Sequence, residues 1–511
     1  MSTHAAGLNK LDMQSTALVL VDMQNDFIHP LGAYARGGAG SAMSILKSPE
    51  SFEASVPVLI VGGGACGLIA ALTVKAAGVD VVVLERDASP SGSTALSTGF
   101  IPACETRWQK AIGVEDSVQI MAEDVQAKNK GQGNPVQVDA VCRTSGPTLE
   151  WLADAHGIEF VLLDDFLYPG HRRHRMHAHP DRTGPAFIGS LLGAVERSGI
   201  DVMCDAHVTD LYADPAADAN GRVTGVAITR PDGGRESIGC DALILACNGY
   251  GGNKEMLAKY IPEMADAWYF GHPGNQGDAV LWGEALGAEA RQMGAYQGHG
   301  SVATPHGALI GWPIMMQGGI QVNALGQRFS NEHGGYSEQA VHVLAQPDGI
   351  AWNLYDERLH ALGMEFADYR GGEDVGAIRR FASLEEMASA IGCDPSVLTA
   401  TVEQSRALAS GAGTDGFGRD FTGAPAIAGP PYFGVKVTGT LFHTQGGLAV
   451  DADGRVLRPD GSALANLFAG GGAAVGVSGS EVWGYLSGNG LLAATTYGRL
   501  CGQAAARLVA G

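Results

Sequence analysis

The 511-residue chain carries apolar material for more than one core, with 45% hydrophobic and 17% charged residues and no low-complexity tract. Its 33 Lys and Arg against 54 Asp and Glu leave a formal charge of -21, which argues against nucleic acid or an anionic membrane as a partner. Eight scattered cysteines without a C-x-x-C pair point to reduced thiols in a cytoplasm, not to disulfides or a zinc site, and the N-terminus lacks the basic-then-apolar pattern of an export signal.

Residues 1–55 stand apart. Ala17–Gly38, ALVLVDMQNDFIHPLGAYARGG, reads as a strand, a turn and a short extended piece. It resembles the opening of the isochorismatase-like amidohydrolases, in which the aspartate matching Asp22 serves a catalytic cysteine. Such a domain needs roughly 100 further residues, whereas the next strand begins at Val58. The segment is therefore read as a fused remnant without an active site of its own.

Val58–Val61 is a continuous apolar run, as in a buried parallel strand. Gly62-x-Gly64-x-x-Gly67 follows at once and opens a small-residue helix, Ala65–Ala77; a second strand, Val81–Leu84, ends in Glu85. Glycines placed between strand and helix, with an acid about 20 residues on, form a dinucleotide fingerprint. They let backbone reach a pyrophosphate at the helix N-terminus, and Glu85 would accept hydrogen bonds from a ribose. Ser89–Ala103, SPSGSTALSTGFIPA, is rich in the small and hydroxyl residues that wrap a cofactor.

Residues 115–156 are helical in pattern, with Ser145-Gly-Pro147 a candidate helix start and Gly157 a stop; residues 158–163 read as a strand. His171, His174, His177 and His179 have spacing that suggests a metal, but Arg172, Arg173 and Arg175 between them would repel a cation, so no metal is expected. A polar loop beside a cofactor or an anionic group, leading into helix Ala186–Arg197, fits better. Asp201–Asp214 and Arg222–Arg230 alternate like antiparallel strands, Pro231-Asp-Gly-Gly after them reads as a hairpin turn, and Cys240–Ala246 runs as a buried strand into a second glycine-rich turn, Cys247-Asn-Gly-Tyr-Gly-Gly. Residues 266–427 break this α/β rhythm and look like an inserted cap domain. The rhythm returns at Tyr432–Val450 and ends in helix Gly488–Leu508. The expected class is α/β: a Rossmann-like cofactor domain (56–265 and 428–511) with an inserted α+β cap (266–427).

Six separated motifs together resemble one family. They are the Gly62 fingerprint, ALILACNGYGG, GNQGDAV, GIQVNALGQRFSNE, LFHTQGG and NLFAGGGAAVGVSGSEVWGYLSGNG. The family is the fumarate reductase/succinate dehydrogenase flavoprotein superfamily, which includes the 3-ketosteroid dehydrogenases. The resemblance implies FAD, a cap closing over the isoalloxazine, and hydride transfer between flavin N5 and a carbon–carbon bond next to an electron-withdrawing group. It places around the cofactor Gly62, Gly64, Ala65, Cys66, Gly67, Glu85, Arg86, Gly92, Ser93, Thr94, Ser97, Thr98, Gly99, Val208, Ala246, Asn248, Gly249, Asp278, Gly471, Gly488, Gly490 and Leu491. Family members with a histidyl–FAD bond carry a histidine in the Ser-rich loop; Ser93–Gly99 has none, so non-covalent FAD is expected.

Two departures indicate the branch. Fumarate reductases place a proton-donating arginine eight residues after the arginine of GxRFxNE, where this chain has Tyr336. They place a carboxylate-binding arginine near the C-terminus, where this chain has Tyr485. Without either guanidinium a dicarboxylate loses its bidentate clamps. The ketosteroid dehydrogenases carry tyrosines at both places, and the Δ4 type resembles Tyr485-Leu-Ser487-Gly488 best. His443 points the other way, for it stands where fumarate reductases have a substrate-binding histidine. The residues expected at the chemistry are Tyr336 as base, Tyr485 as donor to the carbonyl oxygen, and Ser487 and His443 beside them. Three readings stay open: α,β-desaturation of a cyclic ketone (cyclohexanone-type or 3-ketosteroid), reduction of an activated C=C, and a non-catalytic FAD module. The partners expected are a small ketone or enone and an electron acceptor of unspecified kind, with no membrane insertion.

Overall fold

A computed structural model describes residues 44–213, 221–421 and 423–511. The Asp22-containing stretch lies outside the described residues. From Ile45 to Gly511 the chain forms one unit built around two large sheets.

The first sheet begins where the fingerprint predicted. Strand Ala54–Val61 pairs in parallel with Val81–Leu84 on one side and with Arg235–Leu245 on the other. Leu59, Ile60, Leu68, Ile69, Leu243 and Ile244 are fully buried between sheet and helices, each contributing roughly 1.5–3 kcal/mol over exposure. Helix Ala65–Ala76 packs against the C-terminal helix Asn489–Ala510. Small residues make the approach possible: a Cβ at Gly498 would lie 2.6 Å from the Cys66 carbonyl oxygen. Residues Ile45–Leu46, which the sequence assigns to the remnant, are an edge strand of this sheet beside His207–Ala213.

Several local expectations are corrected. Ser145-Gly-Pro147 does not start a helix; it lies inside helix Pro135–His156, whose start is Asn134, with its side chain on Val136 N–H and Pro135 in the first turn. Gly157 does end it, at φ 68°. The strand expected over 158–163 is confined to Val161–Leu162. Asp201–Asp214 is not one strand: Asp201–Met203 joins Val81–Leu84 in parallel, and after a left-handed residue at Asp205 the chain re-enters the sheet as His207–Ala213.

The second sheet is organised on Tyr432–Thr444, a 13-residue strand that the sequence places with the cofactor domain. It pairs with Tyr296–Ala303, Ile350–Asp356, Ile378–Phe381 and Trp268–Tyr269. Its neighbours lie 50 to 170 positions away, roughly, which is why local pattern did not assign it. Among the described residues no helix is long and apolar enough to cross a membrane.

Candidate active site

The parallel strands Ala54–Val61, Val81–Leu84 and Arg235–Leu245 end side by side. Their following turns, Gly62–Gly64, Glu85–Asp87 and Ala246–Asn248, open one cavity with about 1960 Å³ of space free of protein atoms, counting the solvent at its mouth. This is the crevice at the carboxyl ends of parallel strands where open α/β sheets bind ligands. The fingerprint turn is tight for a steric reason. A Cβ at Gly62, which sits at φ 110°, would lie 2.4 Å from the Ala246 carbonyl oxygen, and one at Gly67 only 1.9 Å from that of Gly62. Gly64 offers no side-chain cap to helix Ala65–Ala76, so its N-terminal dipole faces the cavity.

Glu85 is buried at the end of its strand and accepts from Gly63 N–H at 2.8 Å and from Asp87 N–H at 3.0 Å. Arg86 donates to the Gly274 carbonyl at 2.6 Å, and His272, which accepts from Gly274 N–H, meets Asp87 at 2.8 Å. The loop from Phe270 to Asn275 is thereby held across this end of the cavity. Asn248 and Asn275 both donate to Ser93 Oγ, at 2.9 and 3.0 Å. Asp278 is buried, and its Oδ1 has no partner. Burial pushes its carboxyl up to about 6, against the pull of Arg86. A helix N-terminus at the cavity, whose Ala65 N–H donates to Thr94 Oγ1 at 3.0 Å, a carboxylate at the strand end and a buried Asp278 oxygen without a partner fit FAD.

Of the residues expected around the cofactor, Gly62, Gly64, Ala65, Cys66, Glu85, Arg86, Gly92, Ser93, Thr94, Ser97, Thr98, Val208, Ala246, Asn248, Asp278, Gly471, Gly488, Gly490 and Leu491 line the cavity. Gly67, Gly99 and Gly249 do not. Gly67 serves the turn, Gly99 packs on the Thr183 carbonyl, and a Cβ at Gly249 would fall 2.0 Å from Thr444 Oγ1.

The other end is aromatic. Helix Tyr336–Leu344 lies against strand Tyr296–Ala303 because glycines face it: a Cβ at Gly298 would come 2.7 Å from that of Ala340. Gly298 N–H donates to Ser337 Oγ at 2.9 Å. This packing stacks Tyr336 on His299, ring centres 5.0 Å apart, and His299 on Phe442 at 5.3 Å; Phe442 in turn stacks on Phe270 at 5.0 Å. Tyr485 meets Tyr336 edge-on at 6.2 Å and His443 at 5.6 Å. Tyr168 and Trp312 complete the wall at 6.4 and 6.3 Å from Tyr336.

Tyr336, Tyr485, Ser487 and His443 line the cavity together near the N-terminus of helix Asn489–Ala510. Burial pushes the Tyr336 phenol up to about 12, while hydrogen bonds with Ser487 and Tyr485 pull it back. Burial also drives Tyr485 well above the usual tyrosine range, opposed by backbone contacts with Gly490 and Gly488. Gln445 presents its amide to His443 Nδ1 at 3.2 Å and accepts from Ser478 Oγ at 2.8 Å. Burial lowers His443 to about 4 and His299 to about 3, so both rings are neutral at pH 7.

His299, Trp312 and the Phe270–Phe442 stack had no local signal in the sequence; only the meeting of distant segments puts them here. The histidines of the Tyr168–Gly184 loop do not converge. His171 bonds to Ser487, His177 to Thr106 and His179 faces Asp181.

The profile of the FAD binding domain family matches residues 57–491. A probable fumarate reductase of Shewanella frigidimarina is 29% identical over 455 residues, spanning 88% of this chain and 74% of its own. A 3-oxosteroid 1-dehydrogenase of Mycobacterium tuberculosis is 26% identical over 542 residues, spanning 83% and 93%. The crystal structure of 3-ketosteroid Δ4-(5α)-dehydrogenase from Rhodococcus jostii RHA1, in complex with 4-androstene-3,17-dione, matches at a TM-score of 0.71 and 25% identity, covering 91% of this chain and 99% of that one. The chain therefore belongs to the FAD binding domain family, alongside fumarate reductase and ketosteroid dehydrogenase flavoproteins, and is an FAD-dependent oxidoreductase acting on CH–CH groups.

Proposed function

We propose that the protein desaturates a neutral cyclic ketone, either a cyclohexanone-type ring or a 3-ketosteroid, by removing the α-proton and transferring the β-hydrogen as hydride. The observation that carries this reading is the charge of the aromatic end. Among the described residues lining the cavity, Arg86 is the one Lys or Arg, and it is engaged at the Glu85 end. A dicarboxylate brought against Tyr336 and Tyr485 would be desolvated without a counter-charge, at several kcal/mol. A neutral ketone loses little there and gains apolar contact.

Tyr336 takes the α-proton. Ser487, hydrogen-bonded to its oxygen, stabilises the phenolate, offsetting part of the burial cost. As the ketone enters, the Tyr485 hydroxyl turns to the carbonyl oxygen, with the N–H groups of Gly488–Gly490 beside it to hold developing enolate charge. Bound FAD, held non-covalently, supplies the hydride acceptor. Residues 266–427, with strand Tyr432–Thr444, cover the substrate end.

A second reading, reduction of an activated C=C, draws support from His443 beside Tyr485 and from the similarity to a fumarate reductase. Anaerobic mixing of oxidised holoprotein with cyclohexanone, larger cyclic ketones, a 3-ketosteroid and succinate separates the two. We expect a ketone to bleach the flavin and succinate to leave it unchanged. Reoxidation of prereduced protein by fumarate, with no response to any ketone or enone, would refute the ketone reading.

A further inference from the structure

The histidine-rich loop that the sequence singles out holds a buried chain of hydrogen bonds which the chemistry above does not use. Arg175 is 1% exposed and grips Asp116 with two bonds, Nε and Nη2 each at 2.9 Å. Its Nη1 reaches Asp124 at 2.5 Å and His171 Nδ1 at 3.3 Å. Arginine can only donate, so His171 Nδ1 accepts and its proton sits on Nε2. That Nε2 lies 3.0 Å from the Ser487 carbonyl oxygen, 316 positions away, and donates to it. The neighbouring Leu486 packs on the same loop, its Cδ1 2.8 Å from where a Cβ of Gly170 would be. The cluster is built for a neutral ring: two carboxylates already occupy Arg175, and Asp124 is shared with Arg172 at the surface. Burial and the Arg175 charge hold His171 down at about 4.

We infer that His171, fixed by Arg175, is a positioning residue for the Tyr485–Gly488 turn: its Nε2–H ties down the Ser487 carbonyl and so sets where the Ser487 hydroxyl meets Tyr336. The inference rests on the reading of Tyr336, Tyr485 and Ser487 given above. Ser487 is joined to helix Asn489–Ala510 through Gly488, a residue at φ 87° that packs against the Pro102 ring and gives the helix no side-chain cap. The tie from His171 adds a hydrogen bond to that apolar packing, on the Ser487 side of the turn.

Three forms of the holoprotein test it: wild type, His171→Ala and His171→Gln, whose amide nitrogen can still donate near the Nε2 position. Two quantities are read: anaerobic flavin reduction at saturating ketone, and amide hydrogen exchange by mass spectrometry over residues 484–491. We expect His171→Ala to slow reduction by about 10- to 100-fold, as a small misplacement of reacting groups does, with the ketone KM unchanged and faster exchange over 484–491. His171→Gln should recover most of both. A wild-type reduction rate in His171→Ala overturns the inference, and so does His171→Gln behaving like His171→Ala, which would make His171 a packing residue. If wild type itself is inert to every ketone and enone, the reading of the site fails; exchange over 484–491 then still decides the tie, and unchanged exchange in His171→Ala overturns it.

Discussion

At the scale of single residues the proposed base is Tyr336. Its hydroxyl is raised to about 12 by burial, so at neutral pH the phenolate is a small fraction of the protein. The flavin-reduction rate should therefore climb with pH, by about tenfold per unit well below the pKa, and a stopped-flow series from neutral to mildly alkaline pH reads the slope. Tyr485→Phe removes the proposed donor to the carbonyl oxygen and should slow reduction about 10²–10³-fold while leaving FAD in place. Glu85→Ala acts at the opposite end. It strips the carboxylate that braces Gly63 and would receive a bound ribose, and should weaken FAD retention by about 1–3 kcal/mol, measured by equilibrium dialysis. Both tyrosines were legible in the sequence because they replace arginines at fixed offsets from motifs. His171 and His299 were not, since nothing in either neighbourhood announces a partner on another strand or turn.

At the scale of elements, the strand–turn–helix of the fingerprint was readable because its logic is local. The Gly67 Cα faces the Gly62 carbonyl, and a methyl group there would lie 1.9 Å from that oxygen. Gly67→Ala must push helix Ala65–Ala76 off the sheet. We expect a loss of roughly 1–3 kcal/mol from overpacking together with fewer flavins per purified chain, read from thermal unfolding and absorbance. Wild-type stability and a full flavin complement in this variant would show that the helix has freedom the packing denies it. The histidine-free loop Ser93–Gly99 carries its own expectation: acid precipitation should leave the flavin in the supernatant, and flavin staying with the pellet would contradict it. Pro147 shows where local rules stop. A proline suits a helix start, but here a helix already capped at Asn134 runs through it. At Gly146 that helix sits so close to the Cys104 backbone that a Cβ would meet its carbonyl oxygen at 2.3 Å. Strand Tyr432–Thr444 is the same lesson for sheets, since its partners Tyr296–Ala303 and Ile350–Asp356 come from either side of helix Tyr336–Leu344.

At the scale of the whole molecule, the site depends on buried neutral imidazoles. His171 and His177 are held at about 4 and His299 at about 3, each chiefly by burial. An unfolded chain takes up these protons near pH 6.5, so between those values the unfolded state binds more protons and folding weakens as pH falls. The holoprotein should lose denaturant resistance progressively from about pH 6.5 towards 4, and a flat urea midpoint across that range would contradict the burial of these rings. The proposed function needs the cofactor crevice and the aromatic wall to bring a neutral ketone against Tyr336. The most direct test is single-turnover flavin reduction by a bleaching ketone, wild type against Tyr336→Phe, in deuterated buffer. We predict that Tyr336→Phe retains FAD, reduces it about 10²–10⁴-fold more slowly and loses any exchange of the α-hydrogen with solvent. Flavin reduction at the wild-type rate in Tyr336→Phe would mean that this tyrosine packs and does not react.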